Sequence, residues 1–175
     1  MTHLGGSSSH GLDLDVTLIS RAASLASDSS IQNCTFACAD FMRSPSSFFS
    51  TLSLADNQAL SDSSAHFDTI LLFSITKWLH LHHGDLGLRA LFRALHDYLV
   101  QHVDGTLVVE PQEWDNYKKA SDKNKALKPM FRTLEMRPPF VEELRETGFV
   151  LLETIEREEG GFSRPLLVWR AQAKT

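Results

Sequence analysis

The chain has 175 residues, 42% hydrophobic and 22% charged, enough for one ordinary domain with a sizeable core. Its net charge of −5 and pI near 5.9 exclude a generally basic nucleic-acid coat, and no apolar run approaches the ~20 residues a membrane span needs. The distribution of charge says more than the total. Residues 1–70 carry Arg21 and Arg43 against seven aspartates, whereas residues 117–137 carry Lys118, Lys119, Lys123, Lys125, Lys128, Arg132 and Arg137 against Asp122 and Glu135.

In chain order, MTHLGGSSSH is small and polar, a flexible lead-in over residues 1–10 without the apolar region of a signal peptide. Gly11–Asp15 fits the end of a short buried strand, and Val16–Ala26 fits a helix with one apolar face. CTFACADF (34–41) suits a second strand. Its Cys34 and Cys38 have no partner pair elsewhere, so buried free thiols in a reducing compartment are expected rather than a disulfide framework or a zinc site. Residues 42–66 are rich in Ser, Asp and Asn and read as a variable loop, with one short helix at 46–54. FDTILLFSI (67–75) is a continuous apolar run, as expected of a strand buried on both faces of a parallel sheet.

A helix is then predicted from Asp85 as N-cap, with Leu88, Leu91, Phe92, Leu95 and Leu99 on one stripe. TLVVEPQ (106–112) is a further strand, stopped by Pro111. The basic segment 113–137 reads as a second variable loop. Pro139–Thr147 reads as a short helix closed by Gly148, and the end as two strands around a glycine turn. The order β-α-β-loop-β-α-β-loop-α-β-β implies an α/β layered sheet, mostly parallel with an antiparallel C-terminal hairpin, in a single domain over 11–175.

Asp13 in GLDLD and Asp40 end two successive strands. A carboxylate there points into the crevice where such sheets bind ligands and can accept hydrogen bonds from ribose hydroxyls; the alternative for each is a helix or loop cap. In SITKWLHLHHGD (74–85), His80, His82 and His83 invite a metal reading. Zinc needs about four ligands, and strand alternation would put His80 and His82 on one face and His83 on the other, so no metal is expected.

The pattern resembles the class I S-adenosylmethionine-dependent methyltransferase fold. More narrowly, the stretch from FDTILLFSITKWLHLHHGD to EGGFSRPLLVWRA, with GLDLD and the TKW, EPQ and GF-RP signatures, resembles the bicoid-interacting-type RNA methyltransferases, which methylate the 5′-terminal phosphate of small RNAs. The resemblance implies S-adenosylmethionine as cofactor, with Asp13 on its ribose, Leu14 on the adenine, Asp40 and Phe41 lining the adenine pocket, and Ser74 facing the methyl group. It implies Lys77 and His80 as contacts to the terminal phosphate, Trp78 as a stacking surface, and Glu110, Pro111, Gln112, Lys118 and Lys119 on the RNA side.

Two departures from the family stand out. HLHHGD replaces the usual HLNWGD, so His82 and His83 stand for an amide and an aromatic. The family's first strand and its Gly-rich turn lie upstream of GLDLD, and a strand, turn and crossover helix take about twenty residues or more. Only ten residues precede Gly11, so the sheet is expected to lack its first β-α unit. The expectations are therefore an RNA methyltransferase, incomplete or inactive as given, or a non-catalytic RNA- or ribonucleoprotein-binding module derived from one. Either would be a monomer, nuclear or cytoplasmic, with no membrane partner.

Overall fold

A computed structural model describes residues 8–48, 67–156 and 164–173 of the chain. Its contacts gather into two units, Met1–Arg43 and Ser44–Thr175, which are taken in turn.

The first unit is a β-α-β stretch of chain: β1 (Ser9–Asp13), α1 (Val16–Asp28), β2 (Cys34–Cys38) and a 3₁₀ turn at Phe41–Arg43. The strands run parallel, from Ser9 opposite Cys34 to Asp13 opposite Cys38. The strand ends at Asp13, two residues before the sequence boundary. Asp15 caps α1 instead, its Oδ1 accepting the Thr17 amide at 2.7 Å. No residue of α1 is buried, and Leu18 and Leu25 are half-exposed. The expectation of buried thiols is corrected for the same reason: two strands and one helix bury little, so Cys34 is half-buried and Cys38 exposed, both as free thiols.

The second unit contains β3 (Thr69–Phe73), α2 (Thr76–Leu99), β4 (Thr106–Glu110), α3 (Trp114–Lys123), α4 (Lys128–Thr133), α5 (Val141–Thr147), β5 (Phe149–Ile155) and β6 (Leu166–Ala171). Its sheet order is β3-β4-β6-β5, with β3 and β4 parallel and β6 antiparallel to both β4 and β5. The antiparallel close to a parallel sheet follows the sequence expectation. Among the described residues, β1 and β3 each pair with a strand on one side only.

The core lies between α2 and one face of this sheet. The predicted stripe Leu88, Leu91, Phe92, Leu95 and Leu99 is fully buried, against Leu107, Val109 and Trp169, which are equally enclosed. Strand alternation puts Leu71 and Phe73 on the opposite face, where both stay about half-exposed. The helix α5 ends as its sequence predicts. Gly148, at φ 119°, takes the left-handed conformation and donates its amide to Leu144 and Arg145 carbonyls.

Two expectations are corrected. The predicted helix from Asp85 is the second segment of α2, but a helical segment already starts at Thr76, so TKWLHLHH is helical and the strand alternation argued for its histidines does not apply. The Asp85 carboxylate bonds His80 and the Glu135 and Met136 amides rather than capping its own helix. Gly84 makes this possible: at φ 68°, ψ −175° it adopts a conformation nearly restricted to glycine and joins two helical segments across a kink. Segment 113–137 is not a loop. Its charges conceal Tyr117, Ala120 and Leu127, which are buried and hold α3 and the following 3₁₀ turn against the rest of the unit. Of the first variable loop, residues 45–48 are helical, and 49–66 lie outside the described residues, as does the glycine turn of the closing hairpin.

Candidate functional site

The site is built on the carboxyl ends of β3 and β4. Ser74, the first residue past β3, sits in the left-handed region at φ 54°, which costs a non-glycine residue roughly 1–3 kcal/mol and persists only where neighbours enforce it. Three side chains do so. Gln112, 3% exposed, donates Nε2 to the Ser74 carbonyl at 2.5 Å. Ser74 Oγ donates to Glu110 Oε2 at 2.8 Å, and Arg164 Nη1 donates to Ser74 Oγ at 2.8 Å. Gln112 also accepts the Lys77 amide at 3.1 Å through Oε1, which ties the first turn of α2 to the end of β4. The strained turn is thereby closed from both strands.

This turn sets the start of α2 and hence the side chains of Lys77 and Trp78. Lys77 is half-buried, and its Nζ lies 4.3 Å from the centre of the Trp78 ring, itself 41% exposed. Burial pushes the Lys77 ammonium below its usual pKa, and the positive charges of Arg164 and Lys123 push it the same way. Arg164 and Lys123 thus both act on Lys77 as like charges, and Arg164 itself lies 3.9 Å from the Glu110 carboxylate.

His80 is placed differently from the expectation. Its side chain is fully buried, edge-on to Tyr117 and Phe140, and Nε2 lies 2.5 Å from Asp85 Oδ1. A carboxylate only accepts, so Nε2 carries the proton and donates. Burial holds the His80 pKa below its usual value, although Asp85 pulls the other way. A ring enclosed in this way supports α2 and does not reach a ligand on the surface. Asp85 is equally engaged, its Oδ2 accepting the amides of Glu135 and Met136 at 2.8 and 3.2 Å. Burial raises its pKa, but these three bonds outweigh that and the net shift is downward. His82 and His83 are exposed on α2, and among the described residues no group of three metal-ligating side chains gathers.

Gln112 and Pro111 are buried, so they shape the wall from behind, while Lys118 and Lys119 are exposed on α3. Beside them Trp114 stacks between Tyr117 and Phe131, with ring centres 5.0 Å apart on each side, and the Arg137 guanidinium lies 3.8 Å from the Trp114 centre. This stack is absent from the sequence expectations, although the spacing Trp114–Tyr117 is that of one helix face.

The first unit carries the other predicted residues. Asp13 ends β1 and Asp40 lies two residues past the end of β2, and the Ala39 amide donates to the Asp13 carbonyl at 3.0 Å, holding the two ends in register. Both aspartates cap locally: Asp13 Oδ1 accepts the Asp15 amide at 2.8 Å, and Asp40 Oδ1 accepts the Met42 amide at 3.0 Å. Each carboxylate has a second oxygen, and Leu14 beside them is 67% exposed, with Phe41 half-buried. Strand-end carboxylates can accept hydrogen bonds from ribose hydroxyls, and an exposed apolar side chain beside them offers a surface to an adenine, so the chemistry of these residues fits the adenosyl half of S-adenosylmethionine.

A family model described as Bicoid-interacting protein 3 (Bin3) matches residues 67–171, more than half of the chain. The chain is 34% identical over 122 residues to the U6 snRNA methylphosphate capping enzyme Amus of Drosophila melanogaster, covering 66% of this chain and 40% of that protein. It is 30% identical over 109 residues to the 7SK snRNA methylphosphate capping enzyme of Mus musculus, covering 59% of this chain and 16% of that one. The chain thus spans well under half the length of these relatives. In structure, the magnesium protoporphyrin IX methyltransferase of Synechocystis PCC 6803 with bound S-adenosylmethionine matches with a TM-score of 0.56 at 12% identity, over 95% of this chain and 61% of that chain. That likeness establishes the fold, the Rossmann-like α/β sheet of the class I methyltransferases.

Proposed function

The chain belongs to the Bicoid-interacting protein 3 family, and from that premise we propose that it is part of an S-adenosylmethionine-dependent RNA methyltransferase acting on the 5′-terminal phosphate of a small RNA. The observation that carries the reading is the strained Ser74 turn, braced by Gln112 and Glu110, which sets Lys77 and the exposed Trp78 at the carboxyl end of a parallel strand. Ligands of open α/β sheets bind at such strand ends.

When bound, S-adenosylmethionine supplies a methyl group on a positively charged sulfur. The residues of this chain have little covalent work to do. A terminal phosphate is largely dianionic at neutral pH, its second pKa being about 6, so its oxygen attacks without a general base. The oxygen's electron pair forms the new O–C bond as the C–S bond breaks, and no proton moves. What remains is orientation. Lys77 would hold the phosphate by charge, Trp78 would stack the first base, and Asp13, Leu14, Asp40 and Phe41 would bind the adenosine. Glu110 and Gln112 would keep the Ser74 turn in place, Lys118 and Lys119 would meet the RNA backbone, and His80 would support the turn of α2 below Lys77.

The deciding experiment is transfer of a tritiated methyl group from S-adenosylmethionine to a small RNA carrying a 5′-monophosphate, with the same RNA bearing a 5′-hydroxyl as control. Label on the phosphorylated RNA alone is expected; equal label on both would overturn the assignment of the acceptor. The basic surface of α3 and α4, with Arg137 on the Trp114 stack, favours a second reading, a non-catalytic RNA- or ribonucleoprotein-binding module. In that case RNA binding would persist, with its steep salt dependence, and transfer would be absent. A nuclear or cytoplasmic monomer suits either reading. Among the described residues no helix is long and apolar enough to cross a membrane.

A further inference from the structure

Beside the Gly84 kink, residues of α2, α4, α5 and the chain after α4 line an open cleft of about 580 Å³. That volume is in the range of ligand sites, and none of Ser74, Lys77 and Glu110 lines it. Much of its surface is apolar. Met136, 4% exposed, and the half-buried Met130 contribute thioethers, while Leu86 stands 84% exposed at the rim. Methionine is unbranched and polarizable and adapts to varied apolar partners. A lone exposed leucine needs no explanation, but here it extends the apolar surface of the cleft.

The charged lining is mainly acidic, and part of it is left uncompensated. On α5, Glu142 pairs with Arg145 and Glu146 with Arg89, each at 3.1 Å. Glu135 and the half-buried Glu143, which line the cleft, have no ion-pair partner among the described residues. Arg89 lines it too, but its guanidinium is held by Glu146. Asp85 adds a third carboxylate, engaged by His80 and two backbone amides. An RNA strand, with a phosphate at every nucleotide, meets like charge here. A side chain with an apolar stem and a cationic head matches the cleft at both ends. Its stem lies along the thioethers and Leu86, and its head meets the carboxylates.

The geometry points to this cleft as a docking site for a basic, partly apolar segment of a partner protein, with an arginine or lysine held by Glu135 and Glu143 and an apolar side chain on Met130, Met136 and Leu86. The proposal goes beyond the methyl-transfer reading and does not depend on it. It gives the chain two faces of opposite chemistry: cations on α3 for RNA, and carboxylates among thioethers for protein.

The test is fluorescence anisotropy of the full chain with a labelled eight-residue peptide of alternating arginine and leucine, beside the same peptide with glutamine for arginine. The arginine peptide should bind, more weakly as salt rises, and the glutamine peptide should not. Glu135→Gln together with Glu143→Gln should weaken binding by about tenfold; both changes keep the backbone amide that Asp85 accepts at Glu135. The charge-matched pair Glu153→Gln and Glu156→Gln, at exposed positions outside the cleft, should leave it unchanged. Leu86→Gln, too exposed to disturb the core, should weaken it several-fold. No binding of the arginine peptide overturns the proposal, as does an equal loss in both double variants, which would mean general attraction to an acidic chain. A fall in RNA affinity in the Glu135 and Glu143 variant overturns it by making the cleft an RNA surface. A native dimer in sedimentation that the same variant dissociates overturns it by giving the cleft to a second copy of this chain.

Discussion

His80 donates from Nε2 to Asp85 Oδ1 at 2.5 Å across the kink of α2, and the second oxygen of the same carboxylate accepts the amides of Glu135 and Met136. One side chain thus ties the first segment of the helix to the chain beyond α4. Replacing Asp85 with Ala strands the buried His80 N–H and releases both amides. An unsatisfied buried donor costs about 1–3 kcal/mol, and the amides can turn to water, so a loss on the order of 3 kcal/mol is expected in urea unfolding. A loss below about 0.5 kcal/mol, the range of ordinary surface substitutions, would show that the tie contributes nothing.

The same pair makes stability depend on pH in a stated direction. The His80 pKa is lowered on folding, so the unfolded chain binds a proton first as pH falls through 6.5. Its contribution is complete above 6.5 and is lost as pH drops from there toward the folded value. Asp85 is also lowered, so its contribution is present above 3.8 and is lost below it. Both act alike: acid destabilises. The unfolding midpoint should fall between pH 7.5 and pH 5.5, and His80→Gln, which offers an amide donor and cannot titrate, should flatten that slope. An unchanged slope in the variant would assign the acid sensitivity elsewhere.

Gly84 is the position where α2 can least tolerate a side chain. Alanine there must adopt φ 68°, ψ −175°, and its Cβ would stand 3.0 Å from Met130 Sδ. The backbone cost alone is roughly 1–3 kcal/mol, so Gly84→Ala should be destabilising by at least that much. Alanine ordinarily stabilises a helix relative to glycine by about 1 kcal/mol, and a stabilised variant would mean that α2 runs through this point without a kink.

These residues also mark what the sequence could and could not disclose. The stripe from Leu88 to Leu99 carries burial in its own periodicity and is found where that puts it, whereas the apolar run at 67–75 gives the strand but not its expected burial on both faces, since Leu71 and Phe73 stay about half-exposed. The first two turns of α2 were hidden because Gly84-Asp85 has the composition of a loop, and because only the conformation of Gly84 lets a helix cross it. Segment 113–137 reads as a loop for the opposite reason: its seven basic residues outweigh the buried Tyr117, Ala120 and Leu127 in any local average. In the site, Lys77 and Trp78 are neighbours in the chain and could be paired by inspection. Burial of His80, and the convergence of Arg164 on Ser74, depend on contacts between distant segments that no local pattern encodes.

Lys77 and Trp78 should fail in different ways. Lys77 is a cation whose contact with the terminal phosphate displaces a counterion, so Lys77→Gln should lower affinity for 5′-phosphorylated RNA of any sequence and reduce the salt slope of its binding by about one. Trp78 offers a flat, 41% exposed ring with the Lys77 ammonium 4.3 Å from its centre. Stacking on a base is worth about 1–3 kcal/mol, so Trp78→Ala should lower affinity by about tenfold or more and leave the salt slope as it is. Binding measured by anisotropy across a several-fold range of salt concentration separates the two. Equal slopes for the Lys77 variant and the native chain would remove Lys77 from the phosphate contact. An unchanged affinity for the Trp78 variant would mean that its exposed ring faces no base.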